Sequence, residues 1–513
     1  MSETKSDKKI ISQHIFMFPF RLKKDYTLGD LKENLVKEGW KYKPFELKLC
    51  DPSVATKYNE WVYFHEYVRS TLFEDSEGED NISIYLGRDI PEKARIVLQI
   101  KNGKSYTLPI KRISLRLFET KVGVLTIEVL NYDYPDVEDV LIINDFGRRI
   151  YPQFIGEQGG TEDTKNEFLA DKIEFHFGRE QIIENFESKD FLKKELKVAS
   201  YIEYLLGKTF KDEVIPVIDD RMYTLCWYGN EEFSKKLCHK KGSEYEFESS
   251  DDWYKFIYIE GKSIGVTNKE MQKQLIQNAT YSRWADYGTL FGISRYSLVC
   301  LTDESDFGYN FLRKHIETVY YQMAIILLAQ RASILKFSKD VSNISSRIKR
   351  SPRGFIDRDT FDKVKELYSS FIRFENMLHF IEVTPQEQGI EMYNLAYKNM
   401  ALEDLMSKLK YEIEKLHEFV DLQYSKESNE GISKLQRISL LLPFPIAATL
   451  ANLFPDTKVK ILSLDIPTRL VVFGISFVIS FVISYSIYIG FSVSFKKPFT
   501  RKRGGKNGIN CQA

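Results

Sequence analysis

The chain lacks net charge: 73 Lys and Arg residues offset 73 Asp and Glu residues over 513 positions. That balance removes any global argument for a nucleic-acid partner or an acidic substrate. Cysteine is sparse. Cys50, Cys226, Cys238, Cys300 and Cys511 are scattered without CxxC spacing, which excludes a disulfide framework or Cys-rich zinc module and suits a reducing compartment. Met1 to Lys9 is polar and charged and carries no apolar stretch of the kind a secretory signal needs. Catalytic motifs are missing as well. No two of the seven histidines have metal-ligand spacing, and His65-Glu66 and His417-Glu418 each lack the second His of HExxH. There is no P-loop, GxGxxG turn or GxSxG elbow. The expectation is a protein that is not an enzyme.

What the chain does have is an apolar C-terminus. Leu470 to Phe495 contains no charged residue; about 20 apolar residues in a helix cross a bilayer, so this segment spans one with some tilt. Within it Ser476, Ser480 and Ser484 recur every fourth residue, a spacing that lets helix backbones approach closely in lipid. Upstream, Ile438 to Phe454 is also uncharged but shorter, and carries Pro443 and Pro445. Prolines in a span need neighbours or water to satisfy the freed carbonyls, which suits a pore-lining helix. Thr449 and Asn452 lie three residues apart on one face, as pore lining or as helix-helix glue. Lys434 and Arg437 precede the first span, and Lys496, Lys497, Arg501, Lys502 and Arg503 follow the second. The positive-inside rule then places both termini in the cytosol and the loop Pro455 to Arg469 outside, with the basic tail able to touch anionic lipid.

The remainder reads as a cytosolic α/β domain (1–304), a helical region with a long stalk helix (305–437), a two-helix membrane domain (438–495) and a basic tail (496–513). Strands are expected at His14 to Phe20, Ala94 to Lys101, Asp171 to Phe177, Arg221 to Trp227, Trp253 to Glu260 and Thr289 to Leu301, with a hairpin of Arg112 to Thr120 and Val122 to Asn131. Helices are expected at Pro135 to Arg149, Gln181 to Leu206 and Asn268 to Gln277, and the polar loop 156–167 is a candidate boundary. Asp306 to Ser338 has an apolar centre too short to span and reads as a buried core helix. From Gln386 to Tyr424 one long helix is expected, with Leu402, Leu405, Leu409, Ile413, Leu416 and Val420 as the seam of a bundle or coiled coil. The run Ser425 to Gly431 is expected to fray or bend it.

Two polar clusters stand out. Arg148 and Arg149 follow a glycine, and guanidiniums suit bidentate phosphate contact. Tyr281 to Tyr296 interleaves Arg283 and Arg295 with Trp284 and Tyr296, so aromatic faces and cations together could hold a nucleotide. The competing reading makes both clusters structural: aromatics in the core, arginines in surface pairs.

The stalk, two closely spaced spans and basic tail, from about Gly308 to Arg503, resemble the CorA family of divalent-cation channels. Thr384 to Tyr393 (TPQEQGIEMY) and Tyr320 to Ser338 (YYQMAIILLAQRASILKFS) are similar to a CorA-like subfamily found with bacterial antiviral systems, notably type III CRISPR loci. The resemblance implies a homopentamer in the bacterial inner membrane, its first span lining the pore and its second facing lipid. It implies gating by a nucleotide-type second messenger, a SAM-AMP-like or other adenylate. The family's Gly-Met-Asn at the pore mouth corresponds to Leu450-Ala451-Asn452, so the Asn alone is kept, and the outer loop is not acidic. Three readings follow: a messenger-gated membrane effector without direct nucleic-acid contact, a divalent-cation (Mg²⁺-type) transporter, and a membrane-anchored adaptor or enzyme.

Overall fold

A computed structural model describes residues 8–24, 26–73, 82–100, 103–150, 170–185, 198–210, 213–218, 221–350, 356–441, 443–455, 457–461 and 464–495. The polar loop 156–167 and the basic tail lie outside these residues. The chain divides into two compact units, Met1–Arg347 with Lys363–Leu416, and Ile348–Asp362 with His417–Ala513.

The elements run β1 (Ser12–Leu22), α1 (Leu28–Lys37), β2 (Lys41–Tyr42), α2 (Val54–Val62), α3 (Glu66–Leu72), β3 (Ser83–Gly87), β4 (Arg95–Gln99), β5 (Ser105–Phe118), β6 (Val122–Asn131), α4 (Val137–Gly147), β7 (Lys172–Phe177) and β8 (Glu180–Asn185). Next come α5 (Ser200–Leu206), β9 (Val214–Pro216), β10 (Tyr223–Gly229), α6 (Glu231–Leu237), β11 (Lys240–Lys241), β12 (Glu244–Tyr245), α7 (Asp251–Tyr258), α8 (Lys269–Ala279), β13 (Thr280–Tyr281), β14 (Leu290–Ile293) and β15 (Ser297–Thr302). A π-helical turn (Phe307–Leu312) opens the helical part: α9 (Arg313–Glu317), α10 (Val319–Arg350), α11 (Arg358–Met377), α12 (Glu387–Asn399), α13 (Leu402–Leu441) and α14 (Pro443–Asn452). The hairpin β16 (Lys458–Ile461) and β17 (Leu464–Pro467) then leads into α15 (Thr468–Phe495).

Thirteen of the described strands form one mixed sheet, with β1 near its middle between β6 and β10. All pairs are antiparallel except β10 with β15. Helices cover both faces, so β1 is buried at every position but Arg21, and its sequence is apolar from Ile15 to Phe20. Alternate residues feed different cores: Ile15 and Met17 join that of α10, while Phe16, Phe18 and Phe20 join that of α1, α4 and α5. Pro19 lacks an N–H, yet costs β1 no bond on one side, because pairing to β10 ends at Met17 and pairing to β9 begins at Phe20. The β5–β6 hairpin turns at Lys121, which takes a left-handed φ of 65°.

The apolar centre of α10 lies wholly inside the first unit, from Tyr320 to Ala329. Its polar interruptions are matched. Gln322 Nε2 donates to Glu60 at 2.8 Å, and Gln330 Nε2 donates to the Leu378 and Phe380 carbonyls and to Tyr393 Oη. Leu402, Leu409 and Ile413 of the seam sit in the same core, with Leu405 and Leu416 packed against it. That stretch of the seam is therefore satisfied within the chain, in a core it shares with α10 and α11.

Several expectations need correction. Thr289 to Leu301 is not one strand but two, β14 and β15, paired antiparallel around a turn in which Ser294 N donates to Ser297 O. Trp253 to Glu260 is helical, not a strand: Ser250 caps α7 by accepting from Trp253 N, Asp251 and Asp252 fill its first turn, and Trp253, Phe256 and Ile257 bury one face. Ile259, at a left-handed φ of 56°, ends it. Gln181 to Leu206 opens as β8, paired to β7 across Gly178; 186–197 lie outside the described residues, and α5 starts only at Ser200. The long helix from Gln386 is two helices, because Ala401 adopts a φ of 54° and its N–H returns to Lys398 O. Ser425 to Gly431, by contrast, continues α13 without interruption.

Candidate functional site

The helix α4 is buried from Asp139 to Gly147 and delivers Arg148 and Arg149 into the interior. Gly147 is required there, since a Cβ would run into the ring of Phe16. Arg148 Nη2 donates to Ile259 O at 2.8 Å, capping the left-handed end of α7. Asp145 faces both arginines: Oδ1 lies 3.4 Å from Arg148 Nη2 and 3.1 Å from Arg149 Nη2, while Oδ2 accepts from Gly261 N at 3.2 Å. Burial lifts the neighbouring Glu260 carboxyl above its ordinary pKa, with Arg148 pulling the other way. These arginines are thus 2% and 6% exposed, not surface groups.

The start of β10 extends the cluster. Arg149 and Arg221 form an isolated antiparallel bridge, and Met222 N donates to Arg148 O at 2.7 Å. The Arg221 guanidinium stands 5.3 Å from the centre of the Tyr296 ring, and Thr224 N donates to Tyr296 O. Arg295 is exposed in the turn between β14 and β15, and its carbonyl accepts from Arg331 Nη1 of α10 at 3.5 Å. Parallel β10 and β15 begin side by side; at that end backbone contacts tie Arg148 and Arg149 to Arg221 and Met222, Arg221 stands near Tyr296, and Arg331 reaches the Arg295 carbonyl. The fold joins two segments that are far apart in sequence.

Arg283 and Trp284 go elsewhere. Both Glu391 carboxylate oxygens lie 2.8 Å from Arg283 Nη1, and Tyr281 Oη also donates to Glu391. The Trp284 ring packs edge-on against Tyr281 and tilted against Phe291. The structural reading accounts for this pair: a strand edge pinned to α12. Arg221 and Arg331 were not legible as site residues. The one signal was a charged residue, Arg331, just past the apolar centre of a long helix.

In the second unit the uncharged stretch Ile438 to Phe454 is divided between the last turn of α13 and the ten-residue α14. Pro443, Ala447 and Ala451, spaced by four, form the buried face of α14, and Phe444 meets Phe473 and Phe477 of α15 edge-on. Pro445, Thr449 and Asn452 are exposed. Thr449 Oγ1 donates back to Pro445 O at 2.7 Å, an i−4 bond that bends helices slightly. On α15 Ser476 and Ser480 are half-buried and Ser484 is buried, while Ile475, Val478, Ile479, Val482 and Ile483 are exposed. Among the described residues one helix, Thr468–Ser486, is long and apolar enough by length and composition to cross a membrane.

One pair looks nucleophilic and is not. Cys226 Sγ lies 3.6 Å from His14 Nδ1, but burial pushes the thiol up to about 12 and lowers the imidazole to about 4, leaving both neutral. Among the described residues no three His, Cys, Asp or Glu side chains are grouped to hold a metal ion. Comparison with family models, curated proteins and solved structures finds no match to this chain.

Proposed function

We propose that the chain is a ligand-gated membrane effector of CorA-like layout. Its sheet-bearing unit faces the cytosol and binds a nucleotide-type second messenger, and its C-terminal hairpin works in the bacterial inner membrane. The assembly is a homo-oligomer, a pentamer by the family resemblance, acting in antiviral defence. The observation that carries the reading is α15, uncharged from Leu470 onward with its branched aliphatics turned outward. In water that surface is unfavourable by about 25 cal/mol per Å², whereas in lipid it is at home.

The arginine cluster supports the ligand half. A phosphate there would gain charged hydrogen bonds of about 1.5–3 kcal/mol each, and Tyr296 offers a ring face for a base. Titration calorimetry of the full-length protein in detergent, against linear and cyclic adenylates, tests this. Binding that falls tenfold or more in Arg295→Ala or Arg149→Ala supports the site, and failure of every nucleotide sinks it. Mg²⁺ flux into liposomes without any messenger would instead favour the transporter. A specific observation favours a third reading, that the hairpin only tethers: α14, at about 1.5 Å per residue, is too short alone to cross the roughly 30 Å core. Messenger-dependent ion flux separates effector from tether.

A further inference from the structure

A cavity of about 660 Å³ lies in the first unit between the end of α1, the end of β3 and α5. It falls within the size range of small-molecule sites. None of the arginines described above lines it, so it stands apart from the messenger site.

Its walls are built, not incidental. Gly207 follows α5 at a φ of +75°, and a Cβ there would collide with the Glu38 carboxylate. Glycine is therefore needed twice over, for conformation and for closeness. Glu38 Oε1 accepts from both Thr209 N and Thr209 Oγ1 at 2.7 Å, which fixes the carboxylate at the wall. Arg88 sits opposite, its guanidinium 4.8 Å from the centre of the Trp40 ring and its Nη2 donating to Leu205 O at 2.9 Å. Arg88 Nε is buried without a hydrogen-bond partner. Burial lowers the Arg88 pKa, and Glu38 and Tyr204 oppose that only in part. A half-buried cation so placed favours an anion beside it.

The rest of the lining narrows the ligand. Among the described residues, Arg88 and the exposed Lys208 bring positive charge to the lining, and Glu38 brings a carboxylate whose Oε2 is buried without a hydrogen-bond partner. Val198, Leu206, Phe210 and Val214 supply an apolar floor. A nucleoside polyphosphate would set its negative charge against the buried Glu38 carboxylate. A zwitterion would not.

We propose that this cavity binds a small amphipathic zwitterion of amino-acid type, its carboxylate toward Arg88 and Lys208, its ammonium toward Glu38, and its apolar body on Phe210 and Val214. The test uses full-length protein in detergent, free L-leucine and L-phenylalanine, and their des-amino analogues 4-methylpentanoate and 3-phenylpropanoate, read by calorimetry. The expected result is binding of one or both amino acids, at least tenfold tighter than the matching des-amino acid. Arg88→Gln should weaken it tenfold or more. Because Arg88 also caps α5, Lys208→Glu at the exposed rim provides a second variant, expected to weaken binding several-fold with the melting midpoint unchanged. Equal binding of the des-amino acids, no binding of either amino acid, or unaltered affinity in both variants would each overturn the proposal. Adenylate binding at the arginine cluster is measured separately and is unaffected by either outcome.

Discussion

Asp145 Oδ1 sits 3.1 Å from Arg149 Nη2, with both side chains almost wholly withdrawn from solvent. The same oxygen also faces Arg148, so one carboxylate offsets two buried guanidiniums. Asp145→Asn keeps the shape and removes that charge. Breaking a buried pair on one side costs about 3–5 kcal/mol, and the urea midpoint should fall accordingly. If the cluster accepts anions, phosphate should restore part of the loss in the variant and do little to the parent. An unchanged midpoint would mean that Asp145 does not hold the arginines.

The pattern of hits and misses follows from range. β1 was legible because a strand buried on both faces reads as an unbroken apolar run, here Ile15 to Phe20. The β5–β6 turn was legible because two β-rich runs flank Lys121 to Gly123. The buried centre of α10 was legible from length alone. α7 was misread because Trp253, Tyr254, Phe256 and Ile257 favour strands by residue type, and the Ser250 cap with its two following aspartates outweighed them. The break at Ala401 leaves no sequence mark, since alanine is a strong helix former and only packing holds its left-handed φ. The site was half visible. Adjacent Arg148 and Arg149 announce themselves, but Arg221 and Arg331 join them only through strand register and a helix crossing the sheet.

His14 gives a pH signature. Its ring is buried on β1, bonded to Asn144 Oδ1 at 2.7 Å and to Ser12 Oγ at 2.9 Å, and burial takes its pKa from 6.5 to about 4. The folded pKa lies below the unfolded one, so the unfolded chain binds the extra proton. The stabilisation is complete above about pH 6.5 and is lost as pH falls toward 4, by at most about 3.4 kcal/mol. His14→Gln should flatten that part of the stability–pH curve between pH 4 and 6.5. A curve of identical slope in the variant would assign the loss to other groups.

At the end of α14, Asn452 is exposed and Thr449 lies one turn back with its hydroxyl tied to Pro445 O. If this end is a pore mouth, the free amide and the tied hydroxyl differ in what they can offer a hydrated ion. Asn452→Ala should change single-channel conductance markedly, and Thr449→Val only slightly. Cysteine labelling that finds position 452 in contact with lipid would remove it from any conduction path.

α15 carries an exposed apolar face and a covered one. Val478, Ile479, Val482 and Ile483 turn outward, while Ser484 is buried. An arginine near the middle of a spanning helix costs about 2.5–3.5 kcal/mol for insertion. Ile479→Arg should therefore shift the protein from the membrane pellet toward the soluble fraction, roughly a hundredfold in partition by that energy. Ser484→Ala removes a small polar group from a covered face and should leave partition unchanged. Ser484→Phe should spare partition and instead disturb packing, because small residues set how closely helices approach. Fractionation at alkaline pH reads partition, and crosslinking between cysteines placed at positions 447 and 477 reads packing. If Ile479→Arg stays in the membrane as firmly as the parent, this face is covered by protein, and the lipid-facing assignment of α15 fails.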